Sequence, residues 1–463
     1  MPTTQQARTT SPFDADLLVR QHTMGPCPTR AGPEEGIIEP RPDPLDPVRP
    51  DVVRTPLRDG TPWLVAGSVC GGIGAYLFQV VGTRALGGQG YAPLATLWTI
   101  QYLCWSIFLF TVETYVTREL VTRHGQALPR SLVTRLVAWI TLVALAVAVS
   151  SWMTRAWLFD GQDALALVAG LTVLSYGAFA IARGRLAGTH DFRTYGLVSA
   201  FESLLRLLLA VGVVAVSPSA HSLAWTLPAG PAGALVWLRS RRREGSTRAR
   251  RDEPGTHAGE GRFLALTSLA NAATQLLLAG GPLVLVVLDA PPADVSVFFV
   301  TFTAARVPIV LALGGLLSRA LTTFTRIAQE GRRARSSLAR RIAAGTVGAA
   351  LIAGAIGAAV GPEMIELLFG GTLRPPRWLA AAAGAGVVMA TGGMLLNQVL
   401  VAAHLERKLV APWALGLSAA GALVPLAGGT AMMRVALAFV VGQAVALLGL
   451  VTVASLTSVE PKD

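Results

Sequence analysis

From Trp63 onward the chain alternates long apolar runs with short polar breaks. A helix needs about 20 mostly apolar residues to cross a bilayer, whereas a barrel strand alternates over only about 10. The run lengths therefore predict helices, at about 63–83, 94–116, 132–153, 163–183, 195–216, 221–238, 263–288, 295–318, 342–361, 378–402, 412–428 and 432–456. The runs at 221–238 and 412–428 are the least distinct. The expected fold class is an all-α integral membrane protein of about twelve helices.

Charge gives the register of these helices an independent check. With the N-terminus cytoplasmic, the inside loops carry Arg118, Arg123, Arg130 and Arg135, then Arg183, Arg185 and Arg193. The same side receives the dense run from Arg239 to Arg262, the run from Arg326 to Arg341, and Arg407 with Lys408. Only Arg84, Arg155, Arg374, Arg377 and Arg434 fall outside. Roughly 23 basic residues against 5 is the asymmetry that the positive-inside rule demands, and losing one helix would scramble it. The expected protein is multi-pass in the plasma membrane with both termini cytoplasmic.

Organisation follows from the same pattern. Residues 1–60 mix both charge signs, and Pro40, Pro42, Pro44, Pro47 and Pro50 crowd the stretch before the first run. That composition predicts a disordered cytoplasmic tail with no signal peptide. A lobe over 61–238, a basic linker over 239–262, a second lobe over 263–456 and a short tail over 457–463 complete the expected layout. The halves echo each other. Leu158-Phe159 precedes a helix that leads to His190-Asp191-Phe192-Arg193, and Leu368-Phe369 precedes one that leads to His404-Leu405-Glu406-Arg407. Six is even, so both lobes have one orientation and form a parallel repeat.

Composition narrows the class. Of 463 residues 52% are hydrophobic and only 14% charged, and the mean hydropathy is +0.53. A soluble domain carries about a quarter of its residues as charges. The net charge of +12 suggests nucleic acid, but the arginines sit in short breaks between membrane runs, so nucleic-acid binding is not expected. Cys27, Cys70 and Cys104 have neither framework nor CxxC spacing, which leaves no disulfide scaffold or zinc site. No Walker sequence appears, so ATP hydrolysis by a P-loop is not expected.

Polar residues within the runs carry the chemistry, because a charge in hydrocarbon needs a partner or a wet cavity. Glu202 and Arg206, four apart, share a helix face and either glue helices as an ion pair or line a central cavity. Arg306 precedes Pro308, which suits a kinked, moving helix. Glu113, near Arg118 and Glu119, either snorkels to the interface or serves as a proton or cation site. Asn271 and Gln275, Asn397 and Gln398, and Gln79 and Gln101 are amides that bond neighbouring helices or meet sugar hydroxyls. Gly-Gly-Ile-Gly at 71–74 reads as close helix packing or a hinge. Trp63, Trp152, Trp157, Trp237, Trp378 and Trp413 near helix ends read as interface anchors.

Four stretches carry a family likeness: Gly82-Thr83-Arg84-Ala85-Leu86-Gly87-Gly88-Gln89-Gly90-Tyr91-Ala92; Ala182 to Gly188, running on through Tyr195-Gly196-Leu197 to Glu202 and the Arg206 run; Ala305-Arg306-Val307-Pro308; and Gly361 to Gly370. With them the chain, over about 62–456, resembles the polysaccharide-transport branch of the multidrug/oligosaccharidyl-lipid/polysaccharide exporter superfamily. The resemblance implies two lobes in a V that rock between inward- and outward-open states without ATP hydrolysis. It also implies a polyprenyl-pyrophosphate-linked glycan as cargo, with Arg206 and Arg306 on its pyrophosphate and Glu202, Asn271, Gln275, Asn397, Gln398 and Gln79 around the cavity. Glu113 is the candidate for ion coupling. No cofactor or metal is expected, and coupling to H+ or Na+ stays open. Expected partners are membrane lipids and a glycosyltransferase or glycan polymerase. Two alternatives stand beside this one: a drug or cation antiporter of the same fold, and a glycan polymerase or non-transporting assembly protein.

Overall fold

In the computed structural model the described residues are 57–123, 126–242, 272–307, 332–371, 373–403, 405 and 408–457, and they hold helices and connecting turns only. Thr55–Asp463 cluster as one compact unit. The expected tail over 1–60, apart from its last residues, lies outside the described residues, as do most of the linker, Asn271, Pro308 and His404.

The helices are α1 (Leu57–Cys104), α2 (Phe110–Thr122), α3 (Arg130–Met153), α4 (Arg155–Leu158), α5 (Asp163–Gly188), α6 (Phe192–Val216), α7 (Ala220–Ala224) and α8 (Thr226–Arg242). The second half holds α9 (272–279), α10 (Gly281–Val287), α11 (292–307), α12 (Arg332–Phe369), α13 (Arg377–Ala402), α14 (Val410–Leu426) and α15 (Ala431–Leu456).

Among the described residues, seven runs are long and apolar enough to cross a bilayer on their own. The first of them, Pro62–Thr122, contributes two crossings, because the chain reverses at Gly87. Gly87 takes φ 69° and ψ 179°, a conformation open to a residue without Cβ. Reversal is visible in packing. Phe78 and Trp98 would lie about 30 Å apart on a straight helix, at 1.5 Å per residue, yet their rings stack with centroids 5.0 Å apart. With α7–α8, α9–α10, α11 and α14 added, the crossings form two sets of six.

Several boundaries differ from expectation for local reasons. The run at 263–288 breaks at Gly280, with Pro282 at the start of the next helix. The run at 342–361 grows to Arg332–Phe369 because the helix continues past its apolar part into polar sequence. A π turn over Trp105–Leu109 interrupts the second crossing. The expected repeat is visible too: α5 and α13 are each 26 residues long, and each follows a Leu-Phe pair whose phenylalanine, Phe159 or Phe369, is fully buried.

In hydrocarbon each backbone and hydroxyl group must find its partner inside the protein. Thr83, Thr99, Thr111, Thr172 and Thr301 do so by donating to the carbonyl four residues earlier. Within the Gly71–Gly74 stretch, Gly74 makes the close contact, while Gly72 faces open space. A Cβ on Gly74 would come 3.1 Å from the Ser203 side chain, and two turns earlier Gly67 meets Gly196 backbone to backbone.

The cores reveal how the halves meet. One apolar cluster contains residues of both, from Phe78, Tyr91, Leu94 and Phe159 to Phe298, Phe369 and Leu379, and it reaches the Gly87 end of the bundle. Among the described residues, two further clusters each belong to one half. Val112, Leu136, Tyr176 and Leu238 belong to a cluster of the first half, and Leu396, Trp413 and Leu450 to a separate cluster of the second. A small cluster of Leu103, Ile107 and Ala279 makes a further contact between the halves.

Trp413 departs from its expected interface position. It is 2% exposed, and its indole N–H donates to Asn397 Oδ1 at 3.1 Å, so the ring is held within the second half. Trp152 and Trp157 are exposed near the Gly87 end, as interface anchors require.

Candidate functional site

Three features could carry function: a cavity between the halves, a polar cluster inside the first half, and the contacts that close the Gly87 end.

The cavity has a volume of about 520 Å³ and draws its wall from both halves. Gln79, Trp98 and Tyr102 come from α1, Leu276 and Leu278 from α9, Phe302 and Arg306 from α11, and Phe439 from α15. Its volume falls within the roughly 300–1,000 Å³ usual for small-molecule sites. Arg306 is its charged side chain, and no acid lines it among the described residues.

Backbone chemistry explains how Arg306 is held. The carbonyl of Leu278 would accept from the residue four positions on, but that residue is Pro282, which has no N–H. Arg306 Nη2 donates to this orphaned carbonyl. Its Nε has no partner among the described residues, so the guanidinium keeps donor capacity beside the cavity. Gln79 is similar. It is 2% exposed, lines the wall, and leaves Oε1 unpartnered among the described residues. Tyr102 lines the cavity and donates to Gln275 Oε1 at 3.2 Å, which places Gln275 behind the wall rather than in it.

Arg206 and Glu202 stand elsewhere. Both are nearly fully buried on α6, with Arg206 Nη1 3.2 Å from Glu202 Oε1. Tyr176 on α5 donates to Glu202 at 2.7 Å and also contacts Arg206, and Ser203 donates to Glu202 at 3.0 Å. The guanidinium lies 4.9 Å from the Trp98 ring, one aromatic layer away from the cavity that Trp98 lines. Of the two sequence readings, the structural ion pair fits this geometry, and Arg206 does not face Arg306 across the cavity. Asn397 is bonded to Trp413, and Gln398, half-buried on α13, is absent from the cavity wall.

The snorkelling reading of Glu113 is also corrected. The side chain turns inward and is 5% exposed, with Tyr195 donating to Oε1 at 2.7 Å, while Arg183 Nη2 donates to the Tyr195 hydroxyl and lies 3.4 Å from Oε1 as an ion pair. Arg183, placed by sequence in an inside loop, is on α5 with its guanidinium over the rings of Tyr195 and Trp105, at 4.6 and 5.2 Å. Trp105 opens the π turn, a feature that re-aims side chains along a helix. The Glu113 Oε2 atom has no partner among the described residues. Arg335, likewise read as a loop charge, is fully buried and donates from Nε to Ala454 O at 3.1 Å, satisfying the last turn of α15.

The Gly87 end is closed by bonds between the halves. Arg84 donates from Nε to Leu368 O at 2.9 Å and from Nη2 to Leu367 O at 2.7 Å. Those carbonyls belong to the last turn of α12, where a cation also meets the negative end of the helix dipole. Ser296 Oγ donates to Gly88 O at 2.6 Å, and Tyr76 meets Phe369 edge-on with centroids 5.4 Å apart. None of these cross-half partners could be found in the sequence, since neither member is unusual by itself.

No known family profile matches the chain. Two uncharacterised proteins of Mycobacterium tuberculosis are similar to it. One is 27% identical over 282 residues, 59% of this chain and 62% of that protein, and the other 27% identical over 238 residues, 50% and 52%. The chain thus spans under two thirds of these curated relatives. Among solved structures, an inward-facing multidrug resistance MATE family transporter of the MOP superfamily superposes with TM-score 0.61 and 13% identity, covering 83% of this chain and 96% of its own. The lipid II flippase MurJ in an inward closed conformation gives TM-score 0.62 and 12% identity, with coverage of 84% and 86%. An outward-facing MATE transporter gives 0.52 at 14% identity, covering 86% and 97%.

Proposed function

We propose that this chain, which has the fold of the MOP-superfamily transporters, is a flippase that moves a polyprenyl-pyrophosphate-linked oligosaccharide across the plasma membrane by alternating access. One observation carries the reading: Arg306, whose Nε has no partner among the described residues, lines a cavity between the two halves whose described wall holds no carboxylate. Arginine binds phosphate oxygens in a bidentate fork, and a wall without acids repels no anion. A drug or cation antiporter would instead need negative charge near its cargo. Gln79 and Tyr102 supply the polar contacts for sugar, while the lipid tail stays in the bilayer, since about 520 Å³ accommodates a headgroup only.

With both termini cytoplasmic, as the arginine asymmetry supports, the closed Gly87 end faces outward. Glu113, which keeps one carboxylate oxygen unpartnered, is the group proposed for coupling transport to H+ or Na+. A glycosyltransferase would build the cargo and a glycan polymerase would receive it.

The deciding experiment is the leaflet distribution of lipid-linked glycan in a strain without this protein. Accumulation on the cytoplasmic leaflet is expected, with restoration by wild type and not by Arg306→Gln. A normal distribution in a strain lacking any second such flippase overturns the reading, and an altered drug-susceptibility profile in its place favours the antiporter.

A further inference from the structure

A second recess lies on the outer flank of the first half, away from the transport cavity. We propose that it binds one anionic phospholipid of the leaflet at the terminal end, with an acyl chain along the groove and the headgroup phosphate on Arg185 and Arg239. The inference stands whether or not the cargo is a lipid-linked glycan.

The groove holds about 270 Å³, with α5 as its floor and α3 and α8 on either side. Leu174, Ala178 and Arg185 follow one stripe of α5, at helical spacings of four and seven. Val137 of α3 and Leu235 of α8 flank that stripe. Val137 and Leu174 are 48% and 41% exposed, so these apolar side chains face hydrocarbon rather than a neighbouring helix. At 1.5 Å per residue, the path from Leu174 to Arg185 is about 16 Å, close to half of a bilayer core of roughly 30 Å. The recess is therefore one leaflet deep. Its depth suits an acyl chain and not a soluble ligand.

Charge marks one end only. Arg185 and Arg239 are the charged residues of the lining, and both lie towards the helix ends that meet the basic side of the membrane. No acid lines the groove among the described residues. Basic pockets between helices at that membrane face bind anionic headgroups, and each arginine near the surface strengthens binding about fivefold. A zwitterionic lipid of the same chains gains little from them.

The test uses the full-length protein in nanodiscs with equal amounts of phosphatidylglycerol and phosphatidylcholine of matched chains, and native mass spectrometry counts the lipid that stays bound. Wild type is expected to prefer phosphatidylglycerol by about fivefold or more, the contribution of Arg239 near the surface. Arg239→Gln, at an exposed position, should lower that preference about fivefold. Ala178→Trp fills the groove without touching the arginines and should abolish tight retention of either lipid. Arg377→Gln, exposed at the other end of the bundle, should change nothing. Thermal unfolding of each variant in detergent shows that it is folded. Equal retention of the two lipids by wild type, full retention by Ala178→Trp, or equal competition by chainless glycerophosphoglycerol each overturns the proposal. The last outcome would identify a simple anion site.

Discussion

Arg84 Nη2 donates a 2.7 Å hydrogen bond to the carbonyl of Leu367, 283 residues away in the other half of the bundle. The same guanidinium reaches Leu368 O, so one side chain completes the last turn of α12 across the interface between the halves. A bond from a charged donor contributes about 1.5–3 kcal/mol. Replacing Arg84 by Gln should therefore move the balance between closed and open at this end by about tenfold or more towards open. Spin labels at Gln162 and Gly428, exposed on loops of this end in the two halves, would report it by electron–electron distance measurement in a cysteine-replaced background. An unchanged distance distribution would show that Arg84 does not hold the seal.

The pair of Glu202 and Arg206 predicts an asymmetry in stability. Removing one member of a buried pair strands the other and costs about 3–5 kcal/mol, whereas replacing both with apolar residues is often neutral. Glu202→Gln should lower the thermal midpoint sharply, and Glu202→Leu with Arg206→Met should recover most of the loss. Thermal unfolding of the purified variants decides between this structural role and a role in cargo binding, for which the double variant would fold and fail to transport.

Gln79 predicts the opposite trade. Its Oε1 is buried beside the cavity without a partner among the described residues, and an unmade bond of this kind costs about 1–3 kcal/mol. Gln79→Leu should raise the thermal midpoint while weakening transport. A variant that is both more stable and fully active would remove Gln79 from the site.

Arg306 should separate charge from geometry. Its contact with Leu278 O is one bond to an orphaned carbonyl, so Arg306→Lys keeps the charge but loses the planar fork. Transport is expected to fall in Arg306→Lys and to vanish in Arg306→Gln, with expression near wild type in both. Flipping of a fluorescent lipid-linked glycan in proteoliposomes measures this, and equal activity of all three proteins contradicts phosphate recognition.

Glu113 is tested by driving force. If it couples the cycle to an ion, Glu113→Gln should still flip cargo down a cargo gradient but should not respond to an imposed pH or sodium gradient. Because Arg183 would then be buried with less negative charge beside it, Glu113→Gln with Arg183→Gln is the stability control. A response equal to wild type removes Glu113 from coupling.

What the sequence determined by itself was the solvent, the number of crossings and the sense of the repeat. Run length and the side on which arginines fall are properties of a one-dimensional string, and a bilayer reads them directly, so the limits of α3, α5, α6, α13 and α15 lie within a few residues of expectation. Tertiary structure alone decided what each arginine does. Arg84, Arg183, Arg206, Arg306 and Arg335 differ little in their local sequence, yet one joins the halves, two pair with acids, one borders the cavity and one ends a helix. The reason is physical. A guanidinium in an apolar surrounding takes its role from whichever acceptor lies within 3 Å or so, and those acceptors come from segments that only folding brings near.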